Sequence, residues 1–293
     1  MRKIGIAVTT LLLIVVLALM LLSADLLPFS LGEEDQTKPA LVPARFSNIL
    51  EEETDHVLDV RPRLVAKTGL GHIVVQGGPV KHIEVKVHAE TKASTPRRAQ
   101  ELLDQISIET ITTDNENRFI VHTPRVQANE TAKADLTILV PNDTKLDLNT
   151  ALGQVEVTGS TGDLRALSQL GTIKVDNFQG NAYLETNLGN IEISNAVFEK
   201  ELAAISQLGD LRIQASLAER NILESSLGDL ELLLSPEESY VLEGNLSLGK
   251  FQIRVPFKGQ QSHDHIKGIV GEGTQRGSIS VTLSLGSLEL RQN

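Results

Sequence analysis

One eight-residue phrase returns along this chain at a nearly fixed interval, and that repeat limits the fold more than any other feature. It runs Thr150–Val157 (TALGQVEV), Ser168–Val175 (SQLGTIKV) and Thr186–Ile193 (TNLGNIEI), then Ser206–Ile213 (SQLGDLRI), Ser225–Leu232 (SSLGDLEL) and Leu246–Ile253 (LSLGKFQI). The glycines Gly153, Gly171, Gly189, Gly209, Gly228 and Gly249 are 18, 18, 20, 19 and 21 residues apart. A period near 19 residues marks a stacked, one-dimensional architecture.

Numbered from each glycine, positions +2 and +4 are apolar in every copy (Val155 and Val157, Ile173 and Val175, Ile191 and Ile193), while +1 and +3 are polar. Such alternation, rich in β-branched residues, is a strand with one buried face. On the other side, −1 is always Leu, −3 is Ser or Thr in five of six copies, and −5 is Leu or Ala in the same five. Extending the alternation makes −5, −3 and −1 a second inward face, so Leu208→Asp is expected to collapse the stack. The glycine is then a corner between two strands, where a missing Cβ permits φ > 0 or close approach of neighbouring coils. A second corner is expected at Gly162 and Gly180.

The predicted fold class is therefore all-β: a single-stranded parallel β-solenoid, right-handed by the crossover rule, with strands stacked about 4.8 Å apart. The outward +3 column reads Glu156, Lys174, Glu192, Arg212, Glu231 and Gln252, an alternation of charge that favours this register and reads as a solvated face. Thr68–Val75 (TGLGHIVV) is an early copy with its corner at Gly71, and Leu283–Leu290 (LSLGSLEL) is a late one with its corner at Gly286. The interval from Gly249 to Gly286, 37 residues, equals two repeats, so Pro256–Arg276 reads as a distorted coil. The last coil, with nothing after Asn293 to cap it, is expected either to be shielded by the 256–276 segment or to be a contact surface.

Four regions follow: an anchor over 1–24, an acidic tether over 25–48, a cap of antiparallel strands and one helix over 49–146, and solenoid repeats over 147–293. Ile4–Leu22 carries no charge, and nineteen such residues are enough to span a bilayer as a helix. Leu22-Ser23-Ala24-Asp25 offers a poor cleavage site, which favours an uncleaved signal anchor over a cleaved leader. Arg2 and Lys3 ahead of the span place the N-terminus in the cytoplasm and the solenoid in the periplasm or at the cell surface. Residues 25–60 hold nine acids against Lys38 and Arg45, with Pro28, Pro39 and Pro43 among them, a solvated spacer. In the cap, Thr95 and Pro96 open a helix as N-cap and first helical residue.

The recurrent Leu-Gly-x-Ile/Val-x-Val/Ile phrase, and the Leu136–Val140 strand followed by Pro141–Leu148, resemble the bacterial putative-adhesin domain, a β-solenoid family whose members often begin with one membrane span. The likeness covers roughly Val57 to Leu290. Family members more often carry Thr/Ser-Gly-x-Gly-Asp-Ile at the corner; here Leu precedes the glycine, and Asp follows only Gly209 and Gly228. The resemblance implies adhesion but brings no ligand or catalytic residues.

The chemistry-bearing side chains are sparse. The chain has no cysteine, which excludes disulfides, thiol catalysis and a lipidated anchor cysteine. Aromatics at 3% and a net charge of −11 exclude nucleic acid as a partner. His263-Asp264-His265 is the one candidate metal pair, needing a third ligand such as Glu272, and is read as a polar loop. Glu156, Glu192 and Glu231 lie about two coils apart with a cation between each, unlike the paired acids of sugar hydrolysis. Gly271, Gly273 and Gly277 lack the strand-to-helix setting of a phosphate loop. No cofactor and no catalysis are expected. The expected role is an interaction or scaffold module that contacts an envelope protein or cell-wall polymer and is able to self-associate edge to edge. The alternatives are an accessory subunit that senses envelope state through a membrane partner and, third, a polysaccharide-active enzyme.

Overall fold

Alternating apolar and polar residues across glycine corners give strands in pairs, and the computed structural model describes them over residues 48–292. The Ile4–Leu22 span and nearly all of the acidic tether lie outside the described residues. None of the described helices is long and apolar enough to cross a membrane.

In chain order the strands are β1 (Asn48–Leu58), β2 (Arg63–Leu70), β3 (Ile73–Gly78), β4 (Ile83–Ala93), β5 (Ser107–Thr112), β6 (Glu116–His122), β7 (Thr131–Pro141) and β8 (Lys145–Leu152). Then come β9 (Val155–Thr158), β10 (Thr161–Leu170), β11 (Ile173–Asp176), β12 (Gln179–Leu188), β13 (Ile191–Leu208), β14 (Leu211–Ser216) and β15 (Arg220–Leu227). The last are β16 (Leu230–Leu234), β17 (Glu238–Leu248), β18 (Phe251–Ile253), β19 (Phe257–Gln261), β20 (His265–Val270), β21 (Thr274–Leu285) and β22 (Leu288–Gln292). One described helix, α1 (Pro96–Leu103), starts where Thr95 Oγ1 accepts from the Arg98 N–H at 3.2 Å, and it buries Ala99 and Leu102 against Ala93 and Leu50.

The strands form two layers. The first runs β5, β6, β2, β8, β10, β12, the second half of β13, β15, β21, β17, β20, β19. The second runs β1, β4, β7, β3, β9, β11, the first half of β13, β14, β16, β22, β18. Coil strands pair in parallel, as the phrase requires. The sheet as a whole is mixed: β1, β4 and β5, in the region read as an antiparallel cap, join it antiparallel, and so do β19 and β20 at the far end, where a parallel coil was expected.

Between the layers the core is filled by fit. The −5 column alternates Ala66, Leu148, Ala166, Leu184, Ala204, Leu223 in register, each fully buried, so large and small side chains interdigitate up the stack. The −3 hydroxyls are buried between them. Thr150, Ser168, Thr186, Ser206 and Ser225 each donate to the carbonyl of the corner glycine one coil below, at 2.8–3.2 Å. A polar column inside an apolar core is thereby satisfied at every step.

Coil order is the second correction. The last coil, β21 and β22, is inserted between the coil of β15 and β16 and the coil of β17 and β18. Pro256–Arg276 holds no distorted coil. It contains the β19–β20 hairpin, which pairs antiparallel with β17 and caps the first layer. The chain end is therefore not a bare edge: a self-similar phrase pairs equally well with a coil that precedes or follows it. The first coil behaves alike, since β2 lies between β6 and β8 and β3 lies between β7 and β9.

Candidate functional site

All eight predicted corner glycines, Gly71, Gly153, Gly171, Gly189, Gly209, Gly228, Gly249 and Gly286, have φ between +147° and +154°. At Gly171 a Cβ would lie 2.0 Å from the Gly153 carbonyl oxygen, so both conformation and spacing exclude a side chain. Beyond Gly162 and Gly180, whose φ values are +107° and +142°, a left-handed column at +6 is formed by Gly159, Asn177 and Asn195. That column escaped the sequence reading, although Asn is the side chain that best tolerates this region.

The corner decides which way −1 points. Alternation fails there: after the inward −3 side chain, a hydroxyl in most coils and Leu246 or Leu283 in the coils of Gly249 and Gly286, −2 and −1 both face outward. Leu152, Leu170, Leu188, Leu208, Leu248 and Leu285 are 39–61% exposed, and Leu70 and Leu227 are partly covered. This corrects the inward placement of Leu208. The eight leucines stack in register as Leu70, Leu152, Leu170, Leu188, Leu208, Leu227, Leu285, Leu248, a ridge about 34 Å long at about 4.8 Å per coil.

The −2 side of the ridge is uncharged throughout: Gly69, Ala151, Gln169, Asn187, Gln207, Ser226, Ser284 and Ser247. On the +1 side the side chains tie coil to coil. Asn190 Oδ1 accepts from the Asp210 N–H, Asp210 Oδ1 from the Asp229 N–H, and Asp229 Oδ1 from the Ser287 N–H, at 2.9, 2.9 and 2.7 Å. At the other end Asp135 caps the His72 N–H, and His72 Nδ1 accepts from the Gln154 N–H at 2.9 Å. There a shallow groove runs beside Leu70, Leu152 and Leu170, closed by Thr131, Lys133 and Asp135.

The +3 charges form a column, but its far end differs from expectation. Glu156, Lys174, Glu192, Arg212 and Glu231 stack in that order, and Lys174 is 3.6 Å from Glu192. Glu289 of the inserted coil, not Gln252, follows Glu231. Arg291 bridges these two like charges, at 3.4 Å from Glu231 and 2.9 Å from Glu289, and holds the Glu289 carboxyl below its ordinary pKa.

The histidines do not gather. His265 Nδ1 meets Asn245 Oδ1 at 3.0 Å, His263 is exposed, and Asp264 accepts from the Ser262 hydroxyl at 2.9 Å. Among the described residues, the one trio within metal-binding distance is Glu51, His88 and Glu90. Cations already hold its buried member, with Lys92 and Lys133 at 2.8 and 3.0 Å from the Glu90 oxygens, which keeps that carboxyl below its usual pKa. A further buried acid, Glu238, accepts from the Tyr240 hydroxyl at 2.7 Å and from Ser216 at 2.5 Å. Burial and the Glu238 carboxylate push the Tyr240 phenol up. Sequence alternation gave no sign of this cluster.

The chain matches no curated protein. Among solved structures, a putative adhesin from Bacteroides fragilis is 14% identical, covering 84% of this chain and 98% of that one, with a TM-score of 0.43. A putative cell adhesion protein from Clostridium sporogenes is 12% identical, covering 83% and 100%, with a TM-score of 0.36. A putative lipid binding protein from Parabacteroides distasonis is 10% identical, covering 83% and 96%, with a TM-score of 0.40. The model of the Toastrack DUF4097 family matches residues 71–241, more than half of the 293 residues, and takes in the corners from Gly71 to Gly228. The chain belongs to the Toastrack DUF4097 family.

Proposed function

We propose that this protein is a non-catalytic interaction module of the cell envelope, tethered to the membrane by Ile4–Leu22, with the leucine ridge as its contact surface. The observation that carries this reading is the ridge. Eight leucines in register, at a corner that turns them away from the core, expose a continuous apolar lane beside an uncharged column. Contiguous apolar patches of that kind mark interaction sites. The uncharged span after Arg2 and Lys3, and the acidic spacer behind it, support an extracytoplasmic solenoid held off the bilayer. An envelope protein or a wall polymer is the occupant of the lane.

The test is crosslinking in intact cells from photoreactive residues at the exposed positions 169, 187 and 207 beside the ridge leucines, compared with positions 174 and 192 on the charge column. Capture of one envelope component from the ridge positions, lost in a Leu170→Ser, Leu188→Ser, Leu208→Ser triple variant, is the expected result. Equal capture from both columns, or capture that survives the triple variant, overturns the reading.

A further inference from the structure

Both ends of the first layer are open edges among the described residues. At one end β5 pairs only with β6, and at the other β19 pairs only with β20. Nearly all of β5 and β19 is exposed, with Ile111 on the first and Phe257 half-buried on the second. An open row of N–H and C=O groups is a template for another strand.

Three features select the occupant. The first is direction. β5 runs against the coil strands, being antiparallel to β6, whereas β19 runs with them after two reversals through β20. Two molecules stacked along the coil axis in the same sense therefore bring β19 of one beside β5 of the next as an antiparallel pair. The second is shape. Beyond the first end coil, the second layer continues by two strands (β4, β1) and the first layer by one (β5). Beyond the other end coil, the first layer continues by two (β20, β19), and the second layer stops at β18. The steps face opposite ways, with α1 packed against β1 and β4 on the first of them.

The third is charge. The edge strands β1 and β5 carry Glu51, Glu52, Glu53, Asp55 and Glu109 and no Lys or Arg, with Lys86 of β4 3.9 Å from Glu53. Residues 250–267 instead carry Lys250, Arg254, Lys258 and Lys267 against Asp264, with Arg254 and Lys267 paired to Glu289 and Glu243. Like ends repel and unlike ends attract, so the contact is head to tail and does not close on itself as a two-fold dimer does. From these features we infer that the solenoid binds a second copy of itself end to end, β19 of one molecule extending the sheet of the next at β5. The contact uses neither the leucine ridge nor its partner. It would line up the ridges of successive molecules along one axis.

The absence of cysteine makes the test clean. Glu109→Cys and Lys258→Cys are introduced separately into the full-length chain in detergent micelles and treated with a short bismaleimide. The expected result is a dimer in the equimolar mixture, at least fivefold above either variant alone, and a ladder of higher species when one chain carries both. Equal dimer in a single variant alone, or no excess over a Glu109→Cys and Lys174→Cys mixture, overturns the proposal. In sedimentation velocity, Lys258→Glu should weaken association about tenfold, and adding Glu109→Lys should restore it; association unchanged by Lys258→Glu also overturns it.

Discussion

Leu227 lies in register beside Leu285, 58 residues further along, and not beside Leu248, which follows it by 21. The ridge and the buried columns are thus continuous in space where the chain is not.

The ridge and the −5 column separate binding from stability. Leu184 is fully buried between Ala166 and Ala204, so Leu184→Ala should cost about 2–5 kcal/mol. Leu188→Ser, four residues on at the exposed corner, should stay within about 1 kcal/mol of the parent while lowering partner capture. Thermal unfolding of the two variants checks this, and equal losses would place Leu188 in the core.

Gly171→Ala meets two penalties at once. The backbone sits at φ +154°, and the new Cβ would lie 2.0 Å from the Gly153 oxygen. A loss of about 3 kcal/mol or more is expected, against about 0.5–1 kcal/mol for Gly→Ala at an unstrained site, where the change stabilises. Urea unfolding with an unchanged slope would measure it.

Thr186→Val keeps the shape of the side chain and removes its bond to the Gly171 carbonyl at 3.0 Å. A buried acceptor loses a donor, at about 1–3 kcal/mol. A melting curve unchanged by the substitution would mean that the hydroxyl column serves packing alone.

Glu90 should shape the acid limb of stability. Its hydrogen bond from Lys92, with Lys133 beside it, lowers the folded-state pKa below the ordinary value near 4.5. A carboxyl with a depressed folded pKa contributes stability above its unfolded pKa and loses that contribution as pH falls through the folded value. Stability should therefore drop on acidification below about pH 4.5, and Glu90→Gln should flatten that limb; chemical unfolding from pH 6 to pH 3 gives the comparison.

Glu192→Lys puts a third cation between Lys174 and Arg212, its in-register neighbours. The column is solvated, so a loss of about 1 kcal/mol or less is expected, relieved by salt. Unfolding at low and high salt tests it.

The coil was legible because each copy carries its own evidence: alternation at +2 and +4, a hydroxyl at −3 and a glycine where φ must be positive. The ridge was misread because alternation was carried through the corner. A period of two holds only while the backbone is extended, and Ser168, Gln169 and Leu170 show it ending one residue before the leucine. Coil order was illegible for a different reason. Leu283-Ser-Leu-Gly fits against Ser225-Ser-Leu-Gly as well as Leu246-Ser-Leu-Gly does, so the phrase specifies register within a coil but not which coil is the neighbour. The buried Tyr240 and Glu238 pair sits at that junction, outside the repeated phrase.

Insertion of the last coil has a consequence for the order of folding. Coils added in chain order stack only as far as Leu234, because the strands from Glu238 to Ile253 pair with Thr274–Gln292, which follow them in the chain. Completion of the stack therefore waits for Thr274–Gln292, and a chain cut before Thr274 leaves β16 and β18 without the strand that joins them.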